Sequence, residues 1–175
     1  MVQTDNFVIS YNENKPVVAD LTYIKTDNLQ PLVIFCHGYK GYKDWGAWHL
    51  VAKAFARAGF VFLKFNFSHN GGTLENPIDF PDLEAFGKDN YSKQMKDLES
   101  VISFATNNND VMPNIDTENI SLIGHSRGGG MACLIANKNK KVSKLVTWAG
   151  ISDYKSRFPK GEKLELWKKE GVYYV

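Results

Sequence analysis

The segment Gly124-His125-Ser126-Arg127-Gly128 places a serine between two glycines in the pattern G-x-S-x-G. An apolar run precedes it and a helical pattern follows it, so the serine is predicted to lie on a tight strand-to-helix turn. A serine hydroxyl is a weak nucleophile, and such a turn projects it toward both a substrate and a base. We therefore predict that Ser126 is a nucleophile. The alternative is an ordinary glycine-rich turn, because the bare pattern arises by chance in roughly 6 of 100 chains of this length.

A second motif directly follows the apolar run from Leu32 to Cys36, and its residues are His37, Gly38, Tyr39, Lys40 and Gly41. An acyl-transfer site needs two N–H donors for the oxyanion, one after the nucleophile and one from the loop after a neighbouring strand. A glycine in that loop lets the backbone turn toward a substrate carbonyl. The two motifs together favour acyl-transfer chemistry over an isolated turn.

Through these two motifs the chain resembles the α/β-hydrolase family, and within it the esterases and the dienelactone-hydrolase-like members. The resemblance extends over nearly all 175 residues, because the motifs and the predicted elements occur in the family's order. It implies that Ser126 is the nucleophile, that the N–H groups of Tyr39 and Arg127 form the oxyanion hole, and that His37 braces this loop beside the substrate. It also implies hydrolysis of a small carboxylic ester or related acyl compound through an acyl-enzyme, without cofactor or metal.

The same resemblance exposes a gap, because the family's acid and histidine follow the serine along the chain, and no histidine follows Ser126 here. The four histidines are His37, His49, His69 and His125. His69 follows the apolar run 60–65, at the sheet edge where ligands bind, and is a candidate substrate contact or unusual base. The alternative is a solvated loop residue. Asp153 follows the predicted strand 144–149 and is the candidate acid, the alternative being a helix cap or turn.

Two interpretations therefore remain open. In the first, residues 1–175 are a single, C-terminally truncated serine hydrolase domain that lacks the last strands, and residues 154–175 begin a cap insertion. In the second, a hydrolase-like protein has lost catalysis and serves as a binding or interaction module, which the missing histidine favours. The strand-to-helix turn at Ser126, called the nucleophile elbow below, and the oxyanion motif are both retained. They favour the first interpretation, since a strained, glycine-flanked serine has no physical purpose without catalysis.

The hydrophobic pattern predicts the elements that position these residues. Two strands with a turn between them form an antiparallel opening hairpin, and later apolar runs alternate with helical patterns, which is typical of an α/β fold with a mostly parallel sheet and helices on both faces. The predicted strands are 6–11, 17–24, 32–36, 60–65, 119–124 and 144–149, and the predicted helices are 48–58, 91–105 and 127–137. Residues 70–87 form a long excursion, and the tail is predicted to hold a short helix around Trp167 and a strand from Gly171 to Val175.

The composition limits the kinds of partner that the chain is expected to bind. With 21 basic and 19 acidic residues spread along the chain, no basic stripe suits nucleic acid or an anionic membrane. The N-terminus shows no secretory pattern and no run is long enough to span a bilayer, so we expect a soluble cytoplasmic protein. Cys36 and Cys133 are predicted to be reduced core residues. The sequence contains no phosphate-loop pattern.

The apolar strand 144–149 is predicted to lie at an open edge of the sheet. We expect this edge to self-associate or to be covered by the tail.

Overall fold

The computed structural model describes residues 1–107 and 114–174, and within them one six-stranded sheet forms the centre of the molecule. Its strands lie in the order β1-β2-β4-β3-β5-β6. Their bounds are β1 Val2–Asn12, β2 Lys15–Ile24, β3 Gln30–Cys36, β4 Val61–Phe65, β5 Ile115–His125 and β6 Val142–Trp148. Every predicted strand up to residue 149 is therefore present.

The strand directions confirm the predicted class. β1 pairs with β2, and β2 with β4, in antiparallel register, whereas β3 is parallel to both β4 and β5, and β5 is parallel to β6. Parallel strands end at the same edge of a sheet, so the loops after β3, β4, β5 and β6 lie along one side. Both sequence motifs occur in these loops.

Helices cover both faces of the sheet, as predicted. The helices are α1 Trp48–Arg57, α2 Leu83–Gly87, α3 Tyr91–Asn107, α4 Arg127–Lys138 and α5 Glu162–Glu170, with a 3₁₀ turn at Lys155–Arg157. Alternate residues of β3 separate the two layers: Ile34 packs with α3 and α4, and Phe35 packs with α1. The short helix α2 lies inside the predicted excursion. Its N-cap is Asp82, whose Oδ1 accepts the N–H of Ala85 at 2.9 Å.

The prediction of two core cysteines is wrong for one of them. Cys36 is fully buried at the end of β3, but Cys133 is exposed on α4. The helical period explains the difference, because Met131, Ala132 and Ile135 point into the core, which turns position 133 outward. An apolar helix sequence does not by itself tell which of its faces is covered.

The edge strand β6 is open. Residues 143–147 are exposed, including Leu145 and Val146, and within the described chain β6 pairs only with β5. The tail forms α5 near the predicted position and leaves β6 uncovered. Residues 171–174 form no strand, which contradicts that part of the prediction, and Val175 lies outside the described residues.

Candidate active site

The backbone of Ser126 is strained in the way a nucleophile turn requires. Ser126 joins β5 to α4 with φ 53° and ψ −117°, a left-handed conformation that costs a non-glycine residue about 1–3 kcal/mol. Two hydrogen bonds to the segment around the end of β6 hold it there. Its N–H donates to the carbonyl oxygen of Trp148 at 2.9 Å, and its own carbonyl oxygen accepts the N–H of Ile151 at 3.0 Å.

The glycines of the motif permit a close crossing of backbones. A Cβ at Gly124 would lie 2.4 Å from the carbonyl oxygen of Gly128, and a Cβ at Gly128 would lie 2.4 Å from the carbonyl oxygens of Cys36 and His37. No side chain fits at either position without moving main-chain atoms. The start of α4 is therefore pressed against the end of β3, which brings the loop after β3 to the nucleophile.

The predicted oxyanion donors follow residues that touch each other. A Cβ at Gly38 would lie 3.0 Å from Cβ of Ser126, so the two backbones are in contact just before Tyr39 and Arg127. Among the described residues, neither the N–H of Tyr39 nor that of Arg127 donates a hydrogen bond to a protein acceptor. Arg127 is also the first residue of α4, where the helix dipole favours negative charge. Two free N–H groups at this point suit a developing oxyanion.

His37 braces the oxyanion loop from inside. Its Nδ1 donates to the carbonyl oxygen of Gly38 at 2.8 Å, and its Nε2 accepts the N–H of Phe67 at 3.4 Å, a pattern that requires the neutral ring. Burial lowers the His37 pKa to about 4, which agrees with a neutral ring. Since its ring is only 3% exposed, its role is in the loop, and a direct substrate contact would need the loop to open.

A buried ion network anchors the next part of the same loop. Asp20 on β2 and Lys64 on β4 pair with each other, and Lys43 Nζ lies 2.8 Å from the Asp20 carboxylate. Asp44 completes the network by pairing with both lysines. The N–H of Lys43 also donates to Oδ1 of Asn66 at 2.7 Å. These contacts fix the chain directly after Gly41 to the sheet.

The side chain of Arg127 is held by an acid that sequence analysis did not single out. Arg127 Nη1 donates to Oδ2 of Asp89 at 3.0 Å, and the guanidinium lies over the rings of Tyr39 and Tyr91. Burial raises the Asp89 pKa to about 7, although the neighbouring Arg127 opposes this rise. No local pattern marks Asp89, because its partner is 38 residues away in the sequence.

His69 belongs to a separate buried network. Its Nδ1 lies 2.7 Å from Oγ of Ser68, and that hydroxyl donates to Oδ2 of Asp97 at 2.8 Å. On its other side the ring meets Lys93 and Glu13. Desolvation by burial lowers its pKa, and its side chain is only 2% exposed. A substrate contact by His69 would therefore require this region to open.

The remaining histidines and Asp153 form no described hydrogen bond with the side chain of Ser126. The ring of His125 packs 5.5 Å from that of Trp48, and His49 is exposed at the start of α1. Asp153 is exposed just past β6, where its Oδ1 accepts the N–H of Lys155 at 2.9 Å. In the described part of the chain, Oγ of Ser126 forms no hydrogen bond with any side chain.

The fold and the elbow define a class, and a family comparison agrees with it. The family model described as alpha/beta hydrolase fold matches residues 31–172 of the sequence, so this chain belongs to the α/β-hydrolase family. A search of curated proteins found no match. In residues 1–107 and 114–174 no three His, Cys, Asp or Glu side chains gather as metal ligands would, and no helix there has the length and apolarity to cross a membrane.

Solved structures show the same fold at low sequence identity. Dienelactone hydrolase from Anabaena variabilis has a TM-score of 0.67 and 20% identity, with 85% of this chain and 64% of that chain covered. A Klebsiella pneumoniae protein assigned as a dienelactone hydrolase has a TM-score of 0.66 and 20% identity, and the match covers 91% of this chain and 65% of that chain. Brefeldin A esterase, a bacterial homologue of human hormone sensitive lipase, has a TM-score of 0.60 and 16% identity, covering 82% and 38%. This chain thus spans less than two thirds of each of these proteins.

Proposed function

We propose that this chain is a serine hydrolase domain, with Ser126 as its nucleophile, that acts on small carboxylic esters or related acyl compounds. The observation that carries the proposal is the strained Ser126, which lies beside two unoccupied N–H donors, those of Tyr39 and Arg127. Oγ of Ser126 attacks the acyl carbon, the carbonyl oxygen becomes an oxyanion between these donors, and the alcohol leaves. Water then attacks the acyl-enzyme and releases the acid.

The class of substrate is supported by the kind of enzyme that shares the fold. Two of the similar structures are described as dienelactone hydrolases and one as an esterase, and these names refer to lactones and esters. The oxyanion donors suit any acyl carbonyl, and each such donor typically contributes about 100- to 1000-fold in rate. We therefore propose the ester class and leave the acyl and alcohol groups undefined.

The proposed reaction needs a base for the Ser126 proton. None of the four histidines has a described hydrogen bond to Oγ of Ser126, so the proposal leaves the base undefined. Asp153 is the proposed orienting acid. It lies two residues after Ile151, whose N–H bonds the Ser126 carbonyl oxygen, and its carboxylate is exposed.

A labelling experiment tests the nucleophile without requiring turnover. The purified chain is incubated with a fluorophosphonate probe, with and without added imidazole as an external base, beside Ser126→Ala. We expect labelling of the wild type that imidazole accelerates, with the adduct on Ser126 by peptide mass spectrometry. Equal p-nitrophenyl acetate turnover in wild type and Ser126→Ala, together with an unlabelled serine, would refute the proposal and support the inactive binding module.

We also propose that the open edge of β6 pairs with β6 of a second copy. Residues 143–147 present unpaired N–H and C=O groups beside the apolar side chains of Leu145 and Val146, which is a template for strand addition. Sedimentation velocity over a concentration series is expected to show a dimer. Val146→Lys, which puts a charge on the edge, is expected to be monomeric. A wild type that stays monomeric at all concentrations would contradict the pairing.

A further inference from the structure

The guanidinium of Arg127 joins three other parts of the chain beside the nucleophile. It lies 4.1 Å from the ring centre of Tyr39 in the oxyanion loop and 5.1 Å from that of Tyr91 on α3. Its Nη1 donates to Asp89, which lies between α2 and α3, at 3.0 Å. Arg127 itself is the first residue of α4. One side chain therefore connects the elbow to the oxyanion loop.

The chemistry of this contact suits arginine in particular. A planar guanidinium stacks on an aromatic face while its edge bonds a carboxylate, whereas an ammonium group cannot do both in this way. The Tyr39 ring is also stacked on Phe86 of α2, with ring centres 5.8 Å apart and planes at 25°. The Tyr39 ring thus contacts both Phe86 and Arg127, although Tyr39 is 40% exposed, and these contacts restrain the loop that carries its N–H.

Asp89 fixes the guanidinium in turn. The side chains of Arg127 and Asp89 are only 16% and 6% exposed, and Oδ2 of Asp89 also accepts Nε2 of Gln94 at 2.7 Å. The guanidinium of Arg127 is thus bonded to a buried carboxyl inside the protein, so it is poorly placed to attract an acidic substrate. Its contacts point to a role inside the protein.

The oxyanion loop needs such support. Its N–H groups must stay within hydrogen-bond reach of the oxyanion, and the loop turns sharply through Lys40, which has φ 54°. Its own main-chain restraint is the turn in which the N–H of Gly41 donates to the carbonyl oxygen of Gly38 at 3.1 Å, braced by His37. Both bonds end on the Gly38 carbonyl oxygen, which belongs to the same planar peptide as the Tyr39 N–H, so they set the direction of that N–H. They do not join the loop to α4, whereas the contact of the Tyr39 ring with Arg127 does.

We propose that Arg127 is a positioning residue: its side chain, held by Asp89, anchors the Tyr39 ring and so holds the oxyanion loop against the nucleophile turn, while His37 and Gly41 orient the Gly38–Tyr39 peptide itself. Arg127 then serves the oxyanion hole twice, with its own N–H as one donor and with its side chain as the support of the other. This inference rests on the proposed function for its catalytic consequence, although the restraint on the loop exists without catalysis.

Hydrogen–deuterium exchange with mass spectrometry measures that restraint directly. The variants are Arg127→Met, which keeps most of the apolar stem but loses the charge and the planar group, Arg127→Lys and the isosteric Asp89→Asn. Arg57→Met is the matched control, because Arg57 is an exposed arginine at the end of α1. We expect exchange of the amides at 38–41 to rise about tenfold in Arg127→Met, less in the other two, and not in the control. Exchange in β3 and β5 is expected to stay unchanged.

Fluorophosphonate labelling of the same variants separates the two proposals. We expect labelling of Arg127→Met to slow by up to about 100-fold, with Arg127→Lys intermediate, if the wild type is labelled. A wild type that resists labelling, combined with faster loop exchange in Arg127→Met, would refute the proposed function and keep the positioning role. Unchanged loop exchange in Arg127→Met would overturn the positioning role, whatever the labelling shows.

A second variant covers the case in which Arg127→Met fails to fold. Tyr39→Leu keeps the peptide N–H but removes the ring on which the guanidinium stacks. It leaves the buried Arg127–Asp89 pair in place, so it is expected to fold. The same rise in exchange at 38–41 is expected, and its absence would equally overturn the proposal.

Discussion

Asp20 offers the sharpest test of what holds the oxyanion loop to the sheet. Its carboxylate is 6% exposed and meets the ammonium groups of Lys64 and Lys43, whose side chains are 3% and 9% exposed. With Asp44 the network contains two positive and two negative charges, so it is balanced as it stands. Asp20→Asn keeps the shape of the side chain and removes one negative charge.

The magnitude follows from the burial of the charges left behind. In Asp20→Asn two buried ammonium groups share Asp44, whose side chain is 33% exposed and therefore a weaker partner. Breaking a buried ion pair from one side typically costs about 3–5 kcal/mol. For a domain of this size that corresponds to a fall of about 6–20 °C in the thermal midpoint.

Urea denaturation followed by tryptophan fluorescence measures this loss, with two comparisons. The double variant Asp20→Leu/Lys64→Met removes one charge of each sign and is expected to lose much less stability than Asp20→Asn. Glu84→Gln breaks an exposed pair with Lys88 and is expected to leave the midpoint unchanged. A loss below about 1 kcal/mol in Asp20→Asn, or a double variant less stable than the single one, would refute the reasoning.

Three further predictions concern the backbone crossing, a buried carboxyl and the thiols. Gly128→Ala is expected to abolish folding, because its Cβ would lie 2.4 Å from the Cys36 carbonyl oxygen, whereas Gly87→Ala has open space at Cβ and should fold; circular dichroism of both checks this. Unfolded Asp89 ionises near pH 4 but the folded carboxyl keeps its proton to about pH 7, so the unfolding free energy should fall as pH rises between these values. Asp89→Asn should lose that slope in urea titrations, and an unchanged slope would contradict the assignment. Iodoacetamide should modify Cys133 and spare Cys36 in the native chain, since burial raises the Cys36 pKa; equal alkylation by peptide mass spectrometry would be the opposite result.

Most of the fold is predictable because apolar residues recur at regular spacing in the strands and helices that pack into the core. The helix from Tyr91 and the strand before Ser126 follow it closely. The first strand was predicted too short, since Gln3, Thr4 and Asp5 are polar and extended only because they pair with β2. Helix α2 was missed for a similar reason: five residues among glycines and prolines give no period, and only its cap at Asp82 marks it.

The residues of the site fall into two groups in the same way: some are fixed by the local sequence, and others by partners far along the chain. Ser126 and the loop at Gly38 are recognisable because the need for glycine at a tight turn appears in the sequence itself. Asp89 and the network of Asp20 are not, because each depends on partners that the fold brings from far along the chain. Contacts of this kind leave no spacing in the sequence that pattern analysis can find.

The place of β3 between β4 and β5 has a consequence for the growing chain on the ribosome. β1 and β2 pair as soon as both have emerged, but β3 has no partner until β4 follows, roughly two dozen residues and 1–5 s later at ordinary rates of synthesis. Until then its apolar residues from Leu32 to Cys36 are an unpaired strand of the kind that aggregates. β4 then pairs with β2 and β3 together and covers one side of β3, whose other side stays open until β5 emerges. The nascent chain is therefore most exposed to misassociation, and most in need of a chaperone, between the emergence of Cys36 and that of Phe65, when neither side of β3 is paired.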